Sequence, residues 1–343
     1  MNKNIEFIFD TTRTIDVICM GRVAVDLYAE QLHVPLSDVQ TFRKYLGGCA
    51  GNISVGCARL GLKVALFSCV GQDEMGKFLK KTLDDEQVNT ELLFETESHL
   101  TGLVLLGIDP PHRFPLMFYR KDCADMQLKM EHVQPEYIRQ AKSIVMTGVG
   151  LSTPEMWQTT QHVVHTAKQF GTAVVFDLDY RPVLWGLTSP GDGETRYKKS
   201  RRVSMAYQSL LSQVDIIVGT EEEVCIAGGK QHYHDAISAI RHLTTAPIVV
   251  KMGEKGCQVF LHSQEKPLLS QSFPVNVLNI LGAGDAFMAG LLRGLLQGET
   301  WEVATTFANA SGAIVVTRHG CAPAMPYFDE LQEFIRVEQC ANS

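Results

Sequence analysis

The feature of this 343-residue chain that most constrains its fold is a repeated alternation of short apolar segments with longer amphipathic ones. The apolar segments have the length and composition of strands buried on both faces, and they are Ile15–Met20, Val64–Val70, Ser143–Thr147, Ala173–Asp177, Asp215–Val218 and Ile248–Lys251. The segments between them have helical periodicity, and they are Asn52–Leu60, Glu74–Glu86, Pro154–Phe170, Ser204–Gln213 and His234–Thr244. Such alternation predicts an α/β fold, in which a mostly parallel sheet is covered by helices on both faces.

Two stretches break this alternation, because they have the two-residue periodicity of strands and no helix follows them. They are Asp26–Leu46 and Leu100–Arg120, and we interpret them as a small antiparallel flap. No repeat, low-complexity segment or flexible linker divides the chain. We therefore expect a single domain over residues 1–343, with the flap strands drawn from about 26–46 and 100–120.

Charge and composition exclude several classes of protein. The net charge of −7 argues against a general nucleic-acid or anionic-membrane binder. Nine scattered cysteines with no C-x-x-C pair predict reduced core thiols rather than a zinc site or a disulfide framework. The segment Met1–Thr14 lacks the apolar stretch of a signal peptide, and the apolar runs elsewhere are shorter than the ~20 residues of a membrane span. We therefore expect a cytoplasmic protein.

A basic loop stands out between residues 186 and 204. It contains Gly-Asp-Gly followed by five basic residues, Arg196, Lys198, Lys199, Arg201 and Arg202. A run of charges usually forms a solvated surface, and the alternative is a basic edge near an anionic ligand. The sequence leaves both interpretations open.

The strongest motif is Gly282-Ala283-Gly284-Asp285, which precedes a segment that is apolar nearly all round and therefore predicts a buried helix. Free N–H groups and the helix dipole at such an N-terminus form an anion site. A carboxylate there suits a proton acceptor for a hydroxyl that attacks a phosphoryl group, and we expect the dipole to keep Asp285 ionised and weakly basic. The alternative is that Asp285 only complements the charge of the helix N-terminus.

A second glycine cluster begins at Gly47-Gly48 and leads through Asn52 into a predicted helix. Its glycines permit close backbone approach, and the Asn52 amide can donate to and accept from a polyol. Neither G-x-G-x-x-G after the first strand nor G-x-x-x-x-G-K-[ST] occurs in the chain. Dinucleotide-binding and P-loop chemistry are therefore not supported.

In this order, the two glycine motifs resemble the two signatures of the ribokinase-like (PfkB) carbohydrate kinases. The resemblance spans nearly the whole chain and implies a three-layer α/β/α sandwich with a small β lid. Further segments resemble the subgroup of that family that phosphorylates a sugar acid of inositol catabolism, and they include 21–28, 118–125, 177–185, 218–223 and 311–323.

The resemblance also implies roles for particular residues. Asp285 would be the catalytic base, with the anion hole formed by Gly282, Ala283 and Gly284. The sugar hydroxyls would be held by Asp26, Gly47, Gly48 and Asn52. The nucleotide would be bound by Thr220, Glu223, Lys251, Gly253, Gly256 and Asn309. Thr220 stands where the family usually has Asn, and Glu223 would act on Mg²⁺ indirectly.

A sugar acid needs a positive group in its pocket, and two arginines fit this need. Arg120 ends a flap segment, and Arg181 follows a predicted strand at the edge where α/β proteins bind ligands. We predict that Arg120 binds the substrate carboxylate and Arg181 binds that carboxylate or the γ-phosphate, whereas the alternative for each is a surface ion pair.

The expected reaction is the ATP- and Mg²⁺-dependent phosphorylation of the C6 hydroxyl of 5-dehydro-2-deoxy-D-gluconate in myo-inositol catabolism. Three alternatives remain open: a 2-keto-3-deoxygluconate kinase, a fructokinase, and a catalytically silent regulator that binds a sugar or a nucleotide. The sequence also leaves open whether a monovalent cation takes part and whether the lid edge pairs in a homodimer.

Overall fold

The structure is a computed structural model that describes residues 9–110 and 113–341. Most of the segment examined for a signal peptide, residues 1–8, therefore lies outside the described residues, as do residues 111–112 of the predicted flap. The strands are β1 (Ile15–Met20), β2 (Ala24–Ala29), β3 (Phe42–Gly47), β4 (Val64–Gly71), β5 (Leu93–Thr96), β6 (Leu103–Leu106), β7 (Leu116–Tyr119), β8 (Ala141–Thr147), β9 (Ala173–Asp177), β10 (Ile216–Thr220), β11 (Ile248–Lys251), β12 (Cys257–Phe260) and β13 (Leu268–Ser270). The helices are α1 (Cys49–Arg59), α2 (Glu74–Asp85), α3 (Pro135–Arg139), α4 (Pro154–Phe170), α5 (Arg201–Leu211), α6 (Glu221–Gly228), α7 (Tyr233–Arg241), α8 (Ala283–Leu296), α9 (Trp301–Val316) and α10 (Phe328–Ala341).

Nine strands form the central sheet, in the order β13-β12-β11-β10-β9-β8-β1-β4-β5. The strands from β11 to β5 pair in parallel, whereas β12 and β13 are added antiparallel at one edge. Two apolar cores lie against this sheet, as expected when helices cover both faces. The predicted α/β fold and all six predicted buried strands are confirmed, and β5, β12 and β13 are additional strands at the two edges.

A second sheet of four strands, in the order β3-β2-β6-β7, forms a lid drawn from the two stretches that break the alternation. The expectation of an antiparallel flap is wrong for one pair, because β2 and β6 run parallel with Val25 opposite Leu103. The chain passes through the main sheet between these two strands, so no hairpin fixes their relative direction.

Helix α8 is buried nearly all round, as its composition predicts. Two glycines let it lie close to α9: a Cβ on Gly290 would fall 2.4 Å from the carbonyl oxygen of Phe307, and one on Gly294 would fall 2.5 Å from the Cα of Ala304. Because packing on every side fixes the helix, its N-terminus is held rigidly in the molecule.

Eight of the nine cysteines are buried, Cys340 is exposed, and all nine are free thiols. The prediction of core thiols is therefore confirmed for those eight. Within the described ranges, no helix is long and apolar enough to cross a membrane.

Candidate active site

The candidate site lies where several parallel strands end, at the edge where α/β sheets bind ligands. Arg22 follows β1, Asp177 ends β9, Thr220 ends β10 and Lys251 ends β11. The N-terminus of α8 reaches the same edge, since the Nζ atom of Lys251 would lie 3.4 Å from a Cβ placed on Gly284.

The start of α8 has the features of an anion site. Gly282 precedes the helix with a φ of +82°, and no side chain caps the first turn. A side chain at residue 282 would also meet the Sγ atom of Cys321, 2.8 Å from the Cβ position. The N–H groups of the first turn have no acceptor within the helix, and the Lys251 ammonium lies beside them. Residues 282–284 can therefore bind a phosphoryl group.

Asp285 lies in this first turn, and Nδ2 of Asn52 donates to its Oδ2 atom over 2.8 Å. Burial and the negative charge of Asp179 raise the pKa of Asp285 to about 6, although Asn52 and the guanidinium groups of Arg22 and Arg181 act in the opposite direction. The expectation that Asp285 is weakly basic is therefore wrong, because burial and the Asp179 charge raise its pKa. The carboxylate is basic enough to accept a proton and still ionised at neutral pH.

A buried pair that the sequence analysis did not assign supports this centre. Arg22 donates to Asp179 over 3.1 Å, and both side chains are under one-tenth exposed. Burial alone would raise the pKa of Asp179, but the charges of Arg22 and Arg181 lower it to about 2. Both residues directly follow buried strands, so the strand-end rule that singled out Arg181 also points to them.

Asp26 lies on β2 of the lid and faces the same centre. It is 5% exposed, and burial raises its pKa to about 7 against the charges of Arg22 and Arg120. Gly47 on β3 leaves the room that it needs, since a Cβ there would fall 2.0 Å from the Cγ of Asp26. Gly48 has a φ of +85°, and a Cβ there would fall 2.6 Å from the Arg22 carbonyl oxygen. The lid and the body thus meet at Asp26.

Arg120 does not form a surface ion pair. Its side chain is 1% exposed and pairs with the equally buried Asp125. The guanidinium packs over Gly102, where a Cβ would fall 3.1 Å from Nε. Such a pair fixes the arginine in place while leaving part of its fork free for another anion.

Arg181 lies between the carboxylates of Asp179 and Glu223, and Glu223 is one of the residues that we predict to bind the nucleotide. Its Nη2 atom is 3.4 Å from Asp179 Oδ1, and its Nη1 atom is 3.8 Å from Glu223 Oε1. Glu223 is buried and closes a capping box, in which the backbone N–H of Thr220 donates to Glu223 Oε2 over 2.8 Å. Its Oε1 atom accepts from the backbone N–H of Tyr180 over 3.1 Å. Thr220 and Glu223 thus shape the start of α6 and tie it to the Arg181 loop.

Lys251 pairs with Asp177 over 3.2 Å. Burial raises the pKa of Asp177 to about 7 even against the Lys251 charge. Beyond Lys251, Gly253 and Gly256 have positive φ values of 58° and 84° in the turn between β11 and β12. A Cβ on Gly256 would fall 2.0 Å from the Ser270 carbonyl oxygen, so this turn and β13 lie in close contact.

Asn309 on α9 is buried, and its Nδ2 atom lies 3.0 Å from both Ser270 Oγ and the Gln271 carbonyl oxygen. The structure therefore shows Asn309 holding β13 in place. Its role in nucleotide binding stays a prediction.

Several polar atoms of this centre have no hydrogen-bond partner among the described residues. Four buried side-chain atoms here accept or donate no hydrogen bond among the described residues, and they are Arg22 Nε, Asn52 Oδ1, Arg120 Nε and Asp125 Oδ1. Leaving such atoms unpaired costs about 1–3 kcal/mol each. A polar ligand between the lid and the body would satisfy them.

The described residues contain no group of three or more His, Cys, Asp or Glu side chains that could hold a metal ion. Both carboxylate oxygens of Glu223 already accept hydrogen bonds. A divalent ion could still fit in the manner of Mg²⁺, which keeps several waters and takes few protein ligands beside substrate phosphates. Asp177, which pairs with the Lys251 ammonium beside the anion site, and Glu223 are acidic groups that could serve that purpose.

Comparison with known proteins decides the family. Residues 14–327 match the family described as pfkB family carbohydrate kinase. The chain belongs to this family. It is a sugar kinase, and the resemblance stated from the two glycine motifs is confirmed.

Curated relatives match this kinase over nearly its whole length. The 5-dehydro-2-deoxygluconokinase of Clostridium tetani is 32% identical over 339 residues, which cover 96% of each chain. The protein of the same name from Geobacillus thermodenitrificans is 30% identical and covers 97% of each chain.

Solved structures place the kinase in the ribokinase-like fold. A fructokinase double mutant from Vibrio cholerae, described as bound to fructose, ADP and a potassium ion, superposes with a TM-score of 0.81 at 26% identity, and covers 94% of this chain and 99% of its own. A putative ribokinase II from E. coli, described as a complex with ATP and Mg²⁺, superposes with a TM-score of 0.83 at 22% identity, and covers 94% of this chain and 100% of its own.

Proposed function

We propose that this kinase transfers the γ-phosphoryl group of ATP to the C6 hydroxyl of 5-dehydro-2-deoxy-D-gluconate. The observation that carries the proposal is the match to relatives of that name at 30% and 32% identity, over 97% and 96% of this chain. The arginines Arg22, Arg120 and Arg181 around one buried centre support an anionic sugar over a neutral one.

The chemistry follows from the positions of Asp285 and the start of α8. As the hydroxyl oxygen attacks the γ-phosphorus, its proton passes to Asp285, whose carboxylate Asn52 orients. The new oxygen–phosphorus bond forms while the bond to the bridging oxygen breaks, and ADP leaves with that electron pair. The N–H groups at residues 283–284 and the Lys251 ammonium stabilise the charge on the transferring group.

The other site residues position the two substrates. Asp26 and Asn52 present acceptors and donors to the sugar hydroxyls, with Gly47 and Gly48 giving the space, and Arg120 binds the carboxylate. Arg181, Thr220 and Glu223 border the phosphates, while the turn at Gly253 and Gly256 and the strand held by Asn309 border the nucleotide. A Mg²⁺ ion bound near Asp177 and Glu223 would neutralise phosphate charge.

A substrate panel tests the proposal. ADP release is measured with Mg-ATP and, in turn, 5-dehydro-2-deoxygluconate, 2-keto-3-deoxygluconate, fructose and ribose. We expect kcat/KM to be highest for the first sugar by at least tenfold. A preference for fructose or ribose would contradict the sugar-acid assignment, and ATP binding without turnover of any sugar would favour a regulator.

A further inference from the structure

The basic loop 186–204 contains five cationic side chains, and only some of them have structural partners. Arg202 donates to the Trp185 carbonyl over 2.8 Å and lies over the Trp185 ring, and the Lys198 ammonium donates to the Leu187 carbonyl. Lys199 and Arg201 are exposed to solvent. Arg196 differs from all four, because it is half-buried and forms no hydrogen bond or ion pair with any described residue.

Two contacts hold the segment around Arg196 over the candidate site. The Gly193 N–H donates to the carbonyl oxygen of Leu116 on lid strand β7, over 3.1 Å. The Tyr180 hydroxyl donates to the Lys198 carbonyl over 2.5 Å. Arg196 lies between these two anchors, one on the lid and one on the residue that precedes Arg181.

The charges around Arg196 come from the site itself. The Arg181 charge is the largest influence on Arg196 and, with burial, lowers its pKa to about 9. Glu223 and Asp179 oppose this effect, and Arg22 adds to it. Arg196 therefore stays charged at neutral pH beside a second guanidinium, although Asp179 and Glu223 already have closer cations in Arg22 and Arg181.

We propose that Arg196 and Arg181 together bind one oxyanion group of the ternary complex, either a phosphate of the nucleotide or the carboxylate of the sugar acid. Two like charges repel each other. An anion that accepts hydrogen bonds from both guanidinium groups would offset this repulsion. If the bound group is the carboxylate, this role rests on the proposed function. If it is a phosphate of the nucleotide, the role does not depend on which sugar is the substrate.

Arg196→Gln tests the inference, with Lys199→Gln as a matched control that removes one exposed charge from the same loop. Dissociation constants for Mg-ATP and for 5-dehydro-2-deoxygluconate are measured separately by calorimetry. We expect Arg196→Gln to weaken one of the two ligands by about 10- to 100-fold, as for the loss of one hydrogen bond to a charged group. Arg196→Lys should recover only part of the loss, because a lysine lacks the two-pronged fork.

Each outcome assigns or rejects the role. Weaker Mg-ATP alone identifies a phosphate as the ligand, and weaker sugar acid alone identifies the carboxylate, provided that binding of a neutral sugar is unchanged. Equal binding by Arg196→Gln and Lys199→Gln to both ligands would overturn the inference. If the wild-type kinase prefers another sugar, the proposed substrate is wrong, whereas the Mg-ATP measurement still tests Arg196.

Discussion

Asp285 combines two properties that rarely occur together in an aspartate, since it is ionised at neutral pH and yet basic. Its surroundings explain both, because burial and the Asp179 charge raise its pKa to about 6 while Asn52 and two arginines limit the rise. The raised pKa also destabilises the folded protein at neutral pH, when the carboxylate is charged. The residue is therefore placed for reactivity at the expense of stability.

Replacing Asp285 with Asn should separate these two effects. We expect kcat to fall by at least a thousandfold, because the acceptor for the hydroxyl proton is lost, while Mg-ATP still binds. The unfolding temperature of Asp285→Asn should be a few degrees higher than that of the wild type at pH 8. Because the penalty on the wild-type protein is complete only above the folded pKa of about 6, this gain should shrink as the pH falls toward 4. Unchanged turnover would contradict the assignment of Asp285 as the base.

The pH dependence of the reaction offers a second test at the same residue. As the pH falls, kcat/KM should decline between pH 7 and 6, because Asp285 must be deprotonated and because Asp26 and Asp177 titrate near 7. Asn52→Ala removes the hydrogen bond that lowers the Asp285 pKa, so the acid limb of the profile should move to higher pH. A limb that stays in place or moves downward would contradict this account.

The lid hairpin of β2 and β3 contains a glycine, Gly47, that we expect to matter more for activity than for stability. In Gly47→Ala the new Cβ would displace the Asp26 carboxyl group, which can swing away. We therefore expect KM for the sugar to rise at least tenfold with little change in the unfolding temperature. Gly191→Ala is the control, because the structure leaves open space around residue 191, and its kinetics should match those of the wild type.

The elements also show where prediction from sequence succeeds. The central strands and the helix that begins at residue 283 were predictable, because such continuous apolar runs must be buried in the interior. The edge strands β5, β12 and β13 were not predicted from the sequence, because they are short and partly polar. The Asp285 pKa was mispredicted because burial and the charge of Asp179, which is distant in the sequence, raise it. Arg22 and Asp179 lie just after strand ends, but only the fold shows that the two side chains pair.

At the scale of the whole molecule, the lid and the central sheet differ in how they are held. The lid has a small apolar cluster of its own, in which the Tyr28 hydroxyl lies 2.7 Å from Cys321 Sγ, and its strands β2 and β3 also contribute Val25 and Leu46 to the main core. The central strands are buried on both faces. The lid should therefore open locally at a lower free energy than the sheet.

Hydrogen exchange measures this difference. Amides of β2, β3, β6 and β7 should exchange faster than those of β1, β8 and β9 in the free kinase, and the sugar acid with an ATP analogue should slow the lid alone. Equal protection of lid and sheet without ligands would contradict the prediction. Pairing of two lids in a homodimer stays a prediction, and sedimentation at several protein concentrations measures it.

The rates at which the thiols of this kinase react with a reagent would report how often the structure opens around them. All nine cysteines lie in the part of the chain that the structure describes, and only Cys340 meets solvent. A thiol reagent should thus modify one position at once and the other eight at the pace of structural opening, because the thiolate is the reactive form and burial raises the pKa of buried thiols such as Cys49 to about 12. Cys49 lies at the start of α1, and Cys321 lies where the body meets Gly282 and lid residue Tyr28. The delay before each of these two thiols reacts would therefore report how long bound substrates keep the site closed, without any added label.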